Sequence, residues 1–249
     1  MSADVIARIH DQIRDVAPEL KTYPPASVDW LTHALAAADI LIPWLVGTAP
    51  ELKTHVEQVL NSPHRLRSQW NALRKDTSLP PEQIKAFDRE LSYAKILLEF
   101  VSGEAVSTIV TAHLLAAFPG SGLKSNGKSD YPDLFLAANE YVNLPKFTRN
   151  TTEYGAALKG SPPRPVRIPD GMEVKTCRDV IAVDCHHPHA GLHLIVLFDE
   201  STGEFRARDV CVAFLGRKDY RESGRNTTAT TVKYSFKGEK FISLLHPPQ

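Results

Sequence analysis

The heptapeptide GMEVKTC, Gly171 to Cys177, carries a carboxylate and an ammonium two positions apart. In a β-strand, successive side chains leave opposite faces, so Glu173 and Lys175 share one face while Met172, Val174 and Thr176 take the other. About 40 residues earlier, Asp133 follows Pro132 at the head of another β-type run, DLFLAA. Two carboxylates and a lysine that meet at a strand end suit phosphodiester hydrolysis at neutral pH. Carboxylates hold a hard divalent cation, and an ammonium beside them serves the attacking water and the nonbridging phosphate oxygens.

Pro132–Asp133, followed by Glu173–Val174–Lys175 with Gly171 before it and a β-rich stretch after it, resembles the PD-(D/E)xK nuclease superfamily, and within it the type II restriction endonucleases. The resemblance covers about residues 119–245. It implies that Asp133 and Glu173 bind Mg2+, that the backbone carbonyl of Val174 adds a ligand, and that Lys175 serves the attacking water. It also implies double-stranded DNA as the substrate, and a homodimer as the simplest way to cut both strands of a palindromic site. The competing reading is a solvated Glu–Lys pair on a non-catalytic DNA-binding or protein-interaction module.

Other residues compete for roles. Asp170 in IPDG is a rival first acid, yet it lies too close to Glu173 for two separate strands, and PDG reads as a turn. Asp130 belongs to a loop, and Glu104 is either a helix residue lending outer support to the carboxylates or plain surface charge. DCHHPHAGLH gathers Asp184, Cys185, His186, His187, His189 and His193, which are zinc-ligand types. No second knuckle with CxxC or HxxxH spacing follows, so the segment between VIAVD and LHLIVLFD is expected to be a loop whose histidines meet phosphate or solvent, while LHLIVLFD, which begins Leu192–His193, is expected to be a strand covered on both faces.

For DNA contacts the richest stretch is LGRKDYRESGRNTTATT, with Arg217, Lys218, Arg221, Arg225 and Asn226. Arginine reads guanine through two hydrogen bonds, asparagine does the same for adenine, and hydroxyls reach phosphates. The stretch 216–231 is therefore expected to be a DNA-reading loop, against a plain solvated hairpin. Lys124 and Lys128 in GLKSNGK are a second set, suited to backbone phosphates.

The elements that must position these residues divide the chain. Residues 1–118 read as helices: SVDWLTHALAAADILIPWLVG with Gly47 as its stop, then APELKTHVEQVLN, PHRLRSQWNALRKD, PPEQIKAFDRELSYAKILLEFV and EAVSTIVTAHLLAAF. PGSGLKSNGKSDYP, residues 119–132, reads as a loop, and short β-type runs follow it. The expected fold class is α/β (α+β), a helical half packed on a mixed central β-sheet. The resemblance makes that sheet restriction-endonuclease-like, with residues 119–249 as the nuclease core. Part of the helical half, around VDWLTHALAAADILIPWLV, is the expected dimer contact.

Composition sets the limits. With 249 residues, 43% hydrophobic and 23% charged, the chain can bury an ordinary core without disulfides. Cys177, Cys185 and Cys211 lack CxxC spacing, which suits a reducing compartment. The charged, amphipathic opening MSADVIARIHDQIRD has no signal core, and no apolar run of about 18 residues is expected further on. A soluble, cytoplasmic protein without membrane contact is the expectation. A formal net charge of +0 argues against a surface that is basic all round. The small positive excess lies in residues 119–249, with 18 Lys and Arg against 15 Asp and Glu.

Overall fold

The computed structural model describes residues 2–23, 28–73, 80–86, 88–89, 103–120, 122–125, 132–137, 169, 171–185, 189–199, 205–228 and 231–246. The fold is α+β, with helices laid on one face of an open, mixed six-stranded sheet. The strands are β1 (Leu123–Ser125), β2 (Leu134–Leu136), β3 (Met172–Arg178), β4 (Ala182–Cys185), β5 (Gly191–Asp199), β6 (Arg206–Leu215), β7 (Tyr220–Thr228), β8 (Thr231–Lys237) and β9 (Ile242–Ser243). The large sheet runs β1-β2-β3-β5-β6-β9, and β4-β8-β7 form a second, three-stranded sheet.

Within the large sheet only β3 and β5 are parallel, and every other neighbouring pair is antiparallel. A parallel pair needs a crossover of a dozen or so residues. Here residues 179–190 supply it, and β4 lies on the way. Asp179 opens the crossover at a φ of 61°, a left-handed conformation that Asp tolerates better than most residues.

Side-chain alternation gives the central strands two different faces. Met172, Val174, Leu192, Leu194, Val196, Val210, Val212 and Phe214 point into the main core with the helices. Cys177, Ile195, Ala213 and Leu215 point the other way, into a smaller cluster with Tyr220. Glu173 and Lys175 belong to that second face by the same alternation.

Helix α1 (Ser2–Asp15) buries Val5, Ile9 and Ile13, one per turn. Polar groups then lock it to the sheet: Gln12 Nε2 donates to the Lys240 carbonyl at 2.7 Å, and Gln12 Oε1 accepts from the Phe214 N–H at 2.8 Å. The short α2 (Ala17–Leu20) follows. A Cβ on Gly216 would sit 2.5 Å from Val16 Cγ1, so glycine is what lets this turn close on the end of β6.

The next element overturns a boundary expected from the sequence. Trp30–Leu73 is one helix of 44 residues, α3, and neither Gly47 nor Pro50 nor Pro63 ends it. Trp30, Ala34, Leu41, Leu45, Ala49, Leu52, Val56 and Leu60 form a continuous buried stripe across these breakers, and that burial outweighs their local cost. Pro63 has no N–H for the Val59 carbonyl, and the Ser62 hydroxyl donates to it instead at 2.8 Å. Continuity has a second effect. Trp30–Ser62 is long and apolar enough to cross a membrane by length and composition, contrary to the expectation that no such run exists. In the fold this helix packs on α1 and β6, and the apolar residues proposed as a dimer contact, Trp30, Ala37, Ala38, Leu41, Ile42 and Leu45, are buried within the monomer. Ile40 is the large apolar residue of that stretch left exposed.

Helix α4 (Gly103–Ala117) lies against β3 and α3 and leads into β1. Residues 81–86 are also helical. Two more boundaries need correction. Leu123–Ser125, expected within a loop, is the edge strand β1, paired with β2 through Leu123 and Leu136. Residues 216–231, also expected to be a loop, form a 3-10 turn at Arg217–Asp219 followed by strand β7 and the start of β8. Polar sequence hid that strand because a hairpin at the edge of a sheet has little apolar alternation to display.

Candidate functional site

The site forms where β2 enters beside β3. Leu134 pairs with Met172 in antiparallel register, and one further step along both strands sets Asp133 across from Glu173. Pro132 packs directly on Gly171: a Cβ there would lie 2.1 Å from Pro132 Cβ and 3.1 Å from the Leu134 carbonyl oxygen. That close approach brings Asp133 down on the strand, where its Oδ2 accepts from the Val174 N–H at 2.7 Å. The N–H and C=O of a strand residue point to the same side, so the Val174 carbonyl faces the same edge. Gly171→Ala is expected to push Pro132 away, lower stability by about 1–3 kcal/mol and loosen Asp133. A urea melt of the variant checks this.

Glu173 is buried, and its Oε1 lies 2.5 Å from Lys175 Nζ. Its Oε2 is shielded from solvent and has no hydrogen-bond partner among the described residues. Burial, with the negative charge of Glu173 second, pushes the Asp133 carboxyl up to about 6, while the Val174 N–H and Lys175 pull it back. Two like charges face one another without full compensation.

Behind the carboxylates lies a buried polar group that alternation alone did not reveal. Glu173 pairs with His193 in the parallel β3–β5 register, and His193 is 1% exposed. Its Nδ1 is 2.9 Å from the Gly191 carbonyl and its Nε2 is 3.0 Å from the Tyr220 hydroxyl. A carbonyl only accepts, so Nδ1 carries the proton and Nε2 accepts from Tyr220. Burial pushes His193 down to about 4, against the opposing pull of Glu173, and the ring is neutral near pH 7. His189 stacks on it with centroids 5.1 Å apart and is also buried. The Tyr23 hydroxyl, from the segment after α2, accepts from the Ala190 N–H at 2.7 Å and fixes the entry to β5. The expectation of solvent-facing histidines is thus corrected for His189, which is buried, while His193 stands in LHLIVLFD, the run expected to be covered on both faces. Asp184 and Cys185 lie on β4, and His186 and His187 lie outside the described residues.

The other expected residues are scattered. Lys124 is exposed on β1. Arg217 and Lys218 occupy the 3-10 turn and are engaged by acids: Arg217 Nε is 3.5 Å from Glu19 Oε1, and Lys218 Nζ is 2.5 Å from Asp15 Oδ2. Arg221 is exposed on β7 across from Ser235. Arg225 and Asn226 lie further along β7, with side chains outside the description. Glu104 stands in the first turn of α4, its side chain likewise undescribed, and Lys128, Asp130 and Asp170 lie outside the described residues.

Among the described residues no three His, Cys, Asp or Glu side chains surround one point. Mg2+, however, is commonly held by one or two carboxylates, with waters and phosphate oxygens completing its shell. Asp133, Glu173 and the Val174 carbonyl are hard oxygen donors on one strand edge. The unpartnered Glu173 Oε2 and the raised Asp133 are both strains that a cation would relieve. The residues fit. Comparison with protein-family models, with curated proteins and with solved structures finds no match to this chain.

Proposed function

We propose that the protein is a Mg2+-dependent endonuclease acting on double-stranded DNA, a type II restriction endonuclease with a PD-(D/E)xK centre at Asp133, Glu173 and Lys175. The observation that supports this reading most is the juxtaposition of Asp133 with Glu173 through the Asp133–Val174 hydrogen bond at 2.7 Å, with Lys175 on the same strand face. In this reading the sheet is the restriction-endonuclease-like core, and the cytoplasm is the place of action. Asp133, Glu173 and the Val174 carbonyl would hold the cation, which supplies charge neutralisation and a more acidic water. Lys175 orients the attacking water once its contact with Glu173 loosens. His193, held by Tyr220, stands beside Glu173 on the buried sheet face, where low dielectric strengthens each charge.

Plasmid digestion tests the proposal: discrete bands with Mg2+ and intact plasmid with EDTA are expected. Intact plasmid under both conditions, across DNAs that together contain every short palindrome, overturns it. Arg217, Arg221, Arg225 and Asn226 are assigned DNA contacts, with Lys218, Lys124 and Lys128 on phosphates. Alanine at a base-reading position should cost about 1–3 kcal/mol and relax one base preference, and alanine at a phosphate contact should flatten the salt slope. Unchanged binding in all four variants of the first set refutes that assignment. Two antiparallel strands call for two centres, so a homodimer on DNA is proposed, and light scattering of the complex checks it. The second reading, a non-catalytic DNA-binding or protein-interaction module, draws on the closed Glu173–Lys175 ion pair. DNA binding without cleavage favours it.

A further inference from the structure

Strand β2 sends Leu134 and Leu136 into the main core, which leaves the residue between them, Phe135, on the opposite face of the sheet. That is the face of Glu173 and Lys175. Phe135 is half-buried, and among the described residues it belongs to neither apolar cluster. A phenyl ring gains much from being covered, so a ring kept beside charged groups offers apolar area to a ligand. Its neighbours indicate which ligand. With Leu134 opposite Met172, Phe135 and Glu173 are diagonal neighbours across β2 and β3, about 7–8 Å apart. Lys124, exposed on the edge strand β1, stands directly opposite Phe135 on the other side. A flat apolar face thus lies between an ammonium and the carboxylates.

A nucleotide strand offers the complementary set: a planar base for the ring and phosphates for the charged groups on either side of it. In a paired duplex each base is covered by its stacked neighbours, so only an unstacked base can lie on a side-chain ring, and the cost of unstacking is least where the base is already unpaired. We propose that Phe135 is a stacking platform for an unpaired DNA base next to the phosphodiester at Asp133 and Glu173, with Lys124 on the phosphate beyond it. The inference rests on the nuclease reading and narrows its substrate to DNA with a bulged or single-stranded step at the cleavage point. Every base has a π-face, so the ring selects unpaired over paired DNA and leaves the choice among the four bases to other residues.

The test measures DNA binding by the full chain through fluorescence anisotropy in EDTA, where no metal-dependent cleavage occurs. The probes are a short paired duplex, the same duplex with a central bulge, and one of its strands alone. The wild type should bind the bulged duplex and the single strand at least about tenfold more tightly than the paired duplex. Phe135→Leu should erase that preference, and Phe135→Trp, which keeps an aromatic face, should retain it. Lys124→Gln should weaken all three probes alike and flatten the salt dependence. Equal wild-type affinity for the three probes overturns the proposal, and so does a preference that survives in Phe135→Leu. Because the measurement holds no metal, it is separate from plasmid digestion. A preference that depends on Phe135, without Mg2+-dependent cleavage, keeps the platform and removes the nuclease reading, and cleavage without the preference does the reverse.

Discussion

Glu173→Gln and Lys175→Ala are each expected to reduce Mg2+-dependent DNA cleavage by at least about a hundredfold while leaving the protein folded. Glutamine keeps the shape and burial of Glu173 but removes the charge a cation needs. Lys175 is partly exposed, at 31% of its side chain, so its loss opens no cavity, but it leaves the buried Glu173 without its cation and lowers Tm somewhat in the absence of metal. In the Glu173 variant Lys175 also loses its partner at 2.5 Å, but a lysine that reaches solvent rehydrates at small cost. Single-turnover cleavage at saturating enzyme separates chemistry from binding. Activity within about tenfold of wild type in either variant removes the catalytic assignment.

Asp133→Asn should produce two effects of opposite sense: loss of cleavage and a gain in stability at neutral pH. The Asp133 carboxyl is raised to about 6 in the folded protein, from an unfolded value of 3.8. Below the unfolded value both states hold the proton and the group contributes nothing to pH dependence. As pH rises, the unfolded chain ionises first, so the wild type loses stability up to about 6 and stays lower beyond it. Asparagine never ionises, and its side-chain oxygen still accepts from the Val174 N–H. The variant should therefore match the wild type near pH 4 and exceed it by about 1–3 kcal/mol at pH 8. Urea melts at both values, without metal, decide it. A variant less stable at pH 8 would show that the hydrogen bond, rather than the buried charge, dominates at this position.

How far the sequence reaches follows from which interactions are local. Strand alternation put Glu173 and Lys175 on one face, and Pro-Asp before an apolar run put Asp133 at a strand start. Both arrangements are present, and the α+β layout with a mixed sheet is as expected. Gly47, Pro50 and Pro63 are local stop signals, and they failed because the stripe from Trp30 to Leu60 is buried against α1 and β6, which a linear reading does not see. The β7 strand failed for the converse reason, a polar segment ordered by its partner β8. The run LHLIVLFD, expected as a strand covered on both faces, is β5, and its enclosure carries His193 into the interior; what the linear reading missed is the partner, the Tyr220 hydroxyl, which comes from β7.

The locking of α1 to the far end of the chain bears on how the protein is made. Gln12 finds its partner at Lys240, 228 residues later, and Tyr23 finds Ala190, 167 residues later. At translation rates of about 5–20 residues per second, the first helix waits roughly 10–45 s before its sheet exists. Throughout that interval α1 can pack on α3, but its contacts with β6 cannot form. A ribosome stalled before β6 would carry a chain whose α1 lacks its polar anchors on the sheet, and synthesis past Lys240 would be the step that supplies the last of them.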